Sequence, residues 1–140
     1  ESKYIYETDN GYMNNKDGSN DFIYMNLRFY YDIKNIAFEI VYDADNWLFI
    51  EKAIFIIDNE KIIIPFNDMK TQVGIGINTI QEWGISEISI IQLEKILNAS
   101  DLKLRWYGKN FYKDIEVKQM KTKWEKFYNS HIKKIFNNPN

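Results

Sequence analysis

Apolar and polar residues alternate with a period of two through most of the first two thirds of the chain, the signature of half-buried strands. "KYIYET" (3–8) predicts a short strand, and the Asn-Gly pair behind it a turn. In "FIYMNLRFYYD" (22–32), Ile23, Met25, Leu27, Phe29 and Tyr31 line one face and read as core. Phe22, Tyr24, Asn26, Arg28 and Tyr30 line the other and read as half-solvated. A tight connection at 33–35 leads to a strand over 36–43, and "ADN" (44–46) turns the chain again. "WLFIEKAIFIID" (47–58) is apolar on both faces except at Glu51 and Lys52, which predicts one long strand covered on each side. "DNEK" is its hairpin turn, and 62–66 the return strand. Pro65 lacks an N–H for a ladder and places that strand at an edge. Weaker alternation predicts strands over 72–78 and 80–86.

The period then changes. Ser89 and Gln92 have the spacing of a capping box, and behind them Ile90, Ile91, Leu93, Ile96 and Leu97 form a helical stripe that ends near Ala99 and Ser100. "LKLRWYG" (102–108) alternates again, Lys109 and Asn110 turn it, and 111–117 pairs back. The last segment is helical, with Met120, Trp124, Phe127, Tyr128, His131, Ile135 and Phe136 at three- and four-residue steps and Pro139 beyond its end. Strands joined by tight turns predict a mainly β (α+β) fold in one domain over 1–140. The expected form is an antiparallel, sandwich-like sheet with one short helix and a C-terminal amphipathic helix.

Composition narrows the function classes. At 45% hydrophobic and 16% aromatic, the chain has the large apolar groups a folded core needs. The absence of cysteine excludes disulfides, thiolate nucleophiles and cysteine-ligated metal sites. Abundant isoleucine, lysine, asparagine and tyrosine, beside only Arg28 and Arg105, read as the coding bias of an AT-rich bacterial genome. The chain begins Glu1-Ser2 without Met and has no apolar run long enough for a membrane span, which leads to the expectation of an exported, processed protein. Charge is unevenly spread. Residues 102–136 hold ten bases against three acids, a net +7, so the total of −2 leaves −9 elsewhere. A lysine-rich helix face in solvent accounts for this; the sharper expectation is contact with a protein or an anionic surface through the basic C-terminal region. Nucleic acid is not expected as a partner, since only two arginines are present and the aromatics form no stacking platform.

Candidate chemistry is sparse. "NNKDGSND" (14–21) resembles a calcium loop in composition, but with Gly18 at the sixth position the first and twelfth fall on Met13 and Tyr24, which supply no carboxylate. It reads as a turn feeding the next strand, and "DADN" (43–46) reads the same way. His131, the one histidine, lies on the apolar stripe of the last helix and reads as a packing residue. Ser86 and Ser89 lack the surroundings of a hydrolase nucleophile, and "GIG" (74–76) is no phosphate loop. Glu39, Glu51, Glu82 and Glu87 are strand acids from which a pair for glycoside hydrolysis could be drawn, though no spacing selects one. No catalytic, cofactor-binding or metal-ligating residue is therefore assigned.

Residues 47–108 run from a Trp-led strand and its return to "IIQLEKILNAS" and then "LKLRWYG". This layout resembles small β-rich domains of uncharacterised exported or lipoprotein-type bacterial proteins, in which a helix precedes a V-x-V-R-x-x-G-like strand. The resemblance implies a β-rich fold and an extracytoplasmic (periplasmic or cell-surface) setting. It leaves Arg105 either a structural ion-pair partner or a recognition residue. The function expected is a non-enzymatic, exported or surface-tethered bacterial interaction module, monomeric or weakly oligomeric. The alternatives are a small hydrolase using strand carboxylates and a structural subunit of a larger assembly.

Overall fold

The computed structural model describes residues 5–8, 14–15, 21–74 and 79–137. Two antiparallel sheets face each other. The first has the order β1 (Ile5–Glu7), β3 (Phe22–Tyr30), β4 (Asn35–Ala44), β8 (Ile80–Ile88), β7 (Lys70–Val73). The second has the order β2 (Asn14–Asn15), β10 (Tyr112–Glu116), β9 (Leu102–Gly108), β5 (Ile50–Ile57), β6 (Glu60–Pro65). Each sheet is four main strands with a two- or three-residue strand at one edge. The chain makes a hairpin in one sheet and then crosses to the other, and helix α1 (Ile90–Asn98) carries the crossing from β8 to β9.

Period-two alternation in both sheets supplies the core. Ile23, Met25, Leu27 and Phe29 of β3 pair with Tyr42, Ile40, Phe38 and Ile36 of β4, and all are buried. From the second sheet come Ala53 and Phe55 of β5, Ile62 and Ile64 of β6, Leu104 and Trp106 of β9, and Ile115 of β10. The rings of Phe38 and Phe55 stack across the gap at 5.7 Å. Pro65 lies in β6, the edge strand that its missing N–H requires.

Ser89 caps α1 as its spacing predicts: Gln92 N–H donates to Ser89 Oγ, and Ser89 N–H to Gln92 Oε1. The terminal helix runs as α2 (Lys118–Phe127), a π-helical turn (Tyr128–Ile132) and α3 (Lys133–Asn137). Its apolar stripe departs from the expected one. Met120, Trp124 and Phe127 are buried, but the next fully buried side chain is Ile132, five residues on, and not His131. The wider π turn absorbs the extra residue and re-phases the stripe, so that Phe136 reaches Phe29 at 6.1 Å. Trp124 docks the helix on both sheets. Its ring lies 4.9 Å from Phe38 and 6.1 Å from Phe55, and its Nε1–H donates to the Met25 carbonyl at 3.0 Å.

Three elements differ from expectation. β5 begins at Ile50 instead of residue 47, the strand expected over 72–78 is described at Lys70–Val73, and Asn14 and Asn15, read as part of a turn, pair with β10 as the edge strand β2. Residues 75–78 and most of the 14–21 loop lie outside the described residues.

The two fully buried tryptophans make a paired test. Trp106 Nε1–H has no hydrogen-bond partner among the described residues, whereas Trp124 Nε1–H has one. Trp→Phe removes ring volume at both sites, but at position 124 it also leaves a buried carbonyl without its donor, while at 106 it removes an unsatisfied one. Urea unfolding is expected to show W124F less stable than W106F by about 1–2 kcal/mol. Equal losses would contradict this account of the helix docking.

Candidate functional site

The end of the sandwich opposite α1 carries the unusual chemistry. Most inward positions of β8 are small or apolar, but Glu82 is inward, pairs with Tyr42, and is wholly buried. Its carboxylate accepts three backbone N–H bonds from the β4–β5 connection. Leu48 and Phe49 donate to Oε2 at 2.7 and 3.0 Å, and Ile50 donates to Oε1 at 2.9 Å. This explains why β5 starts late: the N–H groups that would have joined a ladder turn to a side chain of the other sheet. Phe49 consequently takes φ +54°, a left-handed conformation that costs a bulky side chain on the order of 1–2 kcal/mol.

The same connection is clasped from the second sheet. Lys109 N–H donates to the Leu48 carbonyl at 3.2 Å, and a Cβ on Gly108 would lie 1.9 Å from that oxygen. The glycine closing "LKLRWYG" thus permits the connection to lie against β9. Held this way, Trp47 and Phe49 stack at 5.4 Å with their planes 11° apart, and Phe49 is 48% exposed.

Beside them opens a cleft of about 580 Å³, lined by Asp21, Tyr42, Asn46, Trp47, Phe111 and Lys113. That volume falls in the roughly 300–1,000 Å³ range of small-molecule sites. Lys113 is an inward position of β10, opposite Trp106, and its ammonium pairs with Asp21 at 2.5 Å with both side chains largely covered. The ammonium also lies 5.7 Å from the Tyr42 ring centre. Tyr42 Oη donates to the Asn46 carbonyl at 3.1 Å, which fixes the near wall. Phe111, 47% exposed, comes from the β9–β10 turn, closed by Gly108 N–H donating to the Phe111 carbonyl at 2.8 Å.

The acids weighed in the sequence do not form a catalytic pair here. Glu39 lies on the outer face of the first sheet, bound to Arg28 at 2.9 Å, and Glu87 is bound by Asn35 at 3.1 Å. Glu82 lies on the inner face, engaged by three amides, and Glu51 is exposed on the other sheet. Arg105 bonds Asp114 through Nε at 2.6 Å and through a terminal nitrogen at 3.2 Å, an ion-pair role on the outer face of the second sheet. Asp45 of "DADN" accepts from Thr79 N–H and Oγ–H at 3.3 and 3.0 Å, so this acid ties two connections together. Among the described residues no group of three or more His, Asp or Glu is placed to hold a metal ion. His131 lies on the π turn, 5.0 Å from Phe127.

A second groove, of about 470 Å³, runs between α1 and the terminal helix past Glu94, Leu97, Tyr128 and Lys133. Burial, and then the hydrogen bond to Glu94, push the Tyr128 hydroxyl up to about 12 from an ordinary 10.0. The bond ties α1 to the π turn and leaves the groove a structural seam.

No helix among the described residues is long and apolar enough to cross a membrane. Compared with known proteins, the chain matches no protein-family model, no curated protein and no solved structure.

Two outcomes are expected. Glu82→Gln presents one oxygen and one NH₂ where two oxygens served three donors, so at least one buried N–H faces another donor; the loss is about 1–3 kcal/mol in urea unfolding. A stability equal to the parent's would remove the role assigned to that carboxylate. For Tyr128, the folded state holds the hydroxyl proton more tightly than the unfolded chain. Its contribution is therefore intact below pH 10.0 and fades as pH rises toward 12. The stability difference between the parent and Y128F should shrink across that window, and a difference independent of pH would contradict it.

Proposed function

We propose that the protein is a non-enzymatic interaction module, exported or tethered at a bacterial surface, that engages its ligand in the cleft at the Glu82 end of the sandwich. The observation that carries this reading is the rigid presentation of aromatic surface beside an ion pair. Trp47 stands on a connection fixed by a buried carboxylate, and Phe111 stands on a closed turn across from it. Aromatic walls with a few fixed polar groups are what small-ligand sites are made of. Left-handed backbone at a non-glycine residue is costly and persists where its surroundings over-determine it. The exported setting is supported by the layout of residues 47–108.

The hydrolase reading has less support, because each strand acid weighed for it is either bound in place or isolated on another face. A second contact surface is supported by charge. Lys123, Lys126, Lys133 and Lys134 are exposed along the terminal helix, whose one acid, Glu125, is half-buried and 3.6 Å from Lys121. Such a face suits an acidic protein or an anionic surface.

The test is a thermal-shift screen of a chemically broad library of small ligands on the full chain, repeated with F111A. Ligands that raise the melting temperature of the parent and not of F111A are the expected result. A screen without stabilising ligands, or with ligands indifferent to F111A, would contradict the reading. Fractionation of the native host is expected to place the protein outside the cytoplasm, and recovery in the cytosol would overturn that part.

A further inference from the structure

We propose that the groove between the end of β1 and the terminal helix holds a tetrahedral oxyanion, a phosphate or sulfate group. The site is separate from the end cleft and rests on the reading of the terminal helix as a second, basic contact surface.

The groove has a volume of about 330 Å³, with Glu7 and Thr8 on one side and the helix on the other. Its helical wall follows from spacing in the sequence. Lys123, Lys126 and Ser130 recur at steps of three and four residues, so the helix turns all three to one side. The π turn then adds His131 to the same wall while Ile132 enters the core. Turns of this kind are frequent at functional sites. Phe127, buried between the polar groups, is the apolar part of the lining.

Charge selects the ligand first. Lys123 and Lys126 are exposed, and among the described residues neither ammonium is paired with an acid. Glu7, the acid in the lining, is bound to Arg28 at 2.6 Å. Glu125, the one acid of the helix, lies 3.6 Å from Lys121 and lines the other groove, toward α1. Two like charges therefore share the groove without a counter-charge. A cation is repelled, and a neutral ligand leaves the two ammoniums facing each other. A ligand with two negative charges matches them. A phosphate group carries about −1.5 to −2 at neutral pH, whereas a carboxylate carries one.

Shape selects it second. The two ammoniums come from successive turns of the helix, and the exposed Ser130 hydroxyl comes from the turn beyond. Across the groove, Thr8 Oγ1 accepts from Leu27 N–H at 3.0 Å and keeps its own proton to donate. Donors that converge from two walls suit a tetrahedral group, whose oxygens point in several directions. A carboxylate presents its two oxygens in one plane.

The experiment titrates the ¹⁵N-labelled full chain with sodium phosphate and sodium sulfate, against sodium acetate and sodium chloride at equal ionic strength. Vesicles of phosphatidylcholine, with and without phosphatidylglycerol, distinguish a lipid headgroup from a free oxyanion. K123Q/K126Q removes the two groove charges. K133Q/K134Q removes two exposed charges of the same helix that lie outside this groove. All four positions are exposed, and circular dichroism and melting curves check that both variants fold.

The expected result is that phosphate or sulfate shifts the amides of residues 123–131 saturably, while acetate and chloride do not. The affinity should fall at least about tenfold in K123Q/K126Q and less than about twofold in K133Q/K134Q. Retention on phosphatidylglycerol vesicles that is lost in K123Q/K126Q alone assigns the group to a lipid headgroup. Oxyanion binding without such retention assigns it to a soluble ligand, and either result supports the groove. Equal shifts with acetate or chloride, or oxyanion binding that K123Q/K126Q leaves unchanged, overturns the groove. Vesicle binding that both variants weaken equally overturns it too, but leaves the basic helix face standing as a contact surface. No binding of oxyanion or vesicle overturns the groove and the anionic-surface reading of the helix with it.

Discussion

The carboxylate of Glu82 is the interaction on which the cleft end of the molecule depends. It lies inside the sandwich, where a strand of the first sheet would ordinarily place a hydrophobe, and it accepts the N–H groups of three consecutive residues, Leu48 and Phe49 of the β4–β5 connection and Ile50 of β5. A buried polar group is unfavourable unless its partners are all present. Here they are, and the arrangement works in both directions. The carboxylate is satisfied by backbone, and the backbone is held in a left-handed turn at Phe49 that no local preference would choose. From that turn follow the late start of β5, the stack of Trp47 on Phe49, and the shape of the cleft that Trp47 lines.

The opposite end is held by more ordinary means. Ser89 caps α1, Tyr128 ties α1 to the terminal helix, and Trp124 fixes that helix to both sheets. The π turn lets one continuous helix satisfy two phases of the core: Trp124 between the sheets, and Ile132 and Phe136 farther along. A regular helix would have brought His131 where Ile132 is buried, so the inserted residue keeps the imidazole out of the core.

Much of the fold was legible in the sequence because its signals are local. The alternation over 22–32 and 36–43, the edge placement of Pro65, the capping box at Ser89 and the hairpin from 102 to 117 each follow from side-chain period or turn chemistry within a few residues. The cleft was not legible, for a physical reason. Its parts come from residues 21, 42–49, 82, 106–113, and what joins them is long-range pairing. Glu82 was visible only as a strand acid; that it is inward follows from register with Tyr42, which no single strand reveals. The run 47–58 reads as an uninterrupted strand because its apolar character is continuous, while the break at Phe49 is imposed from another sheet. One clue was present: Gly108 ends an otherwise regular strand, and a glycine there marks close approach of another backbone.

The amides of Leu48, Phe49 and Ile50 are locked by the buried carboxylate and are not part of a mobile loop. Native-state hydrogen exchange of the full chain measures this directly. The expected result is that these three amides exchange as slowly as those of the central strands around Phe38 and Phe55, opening only with global unfolding. Rapid exchange at the three positions, at the level of an exposed turn, would contradict it and leave the cleft without the rigid wall on which its function is argued.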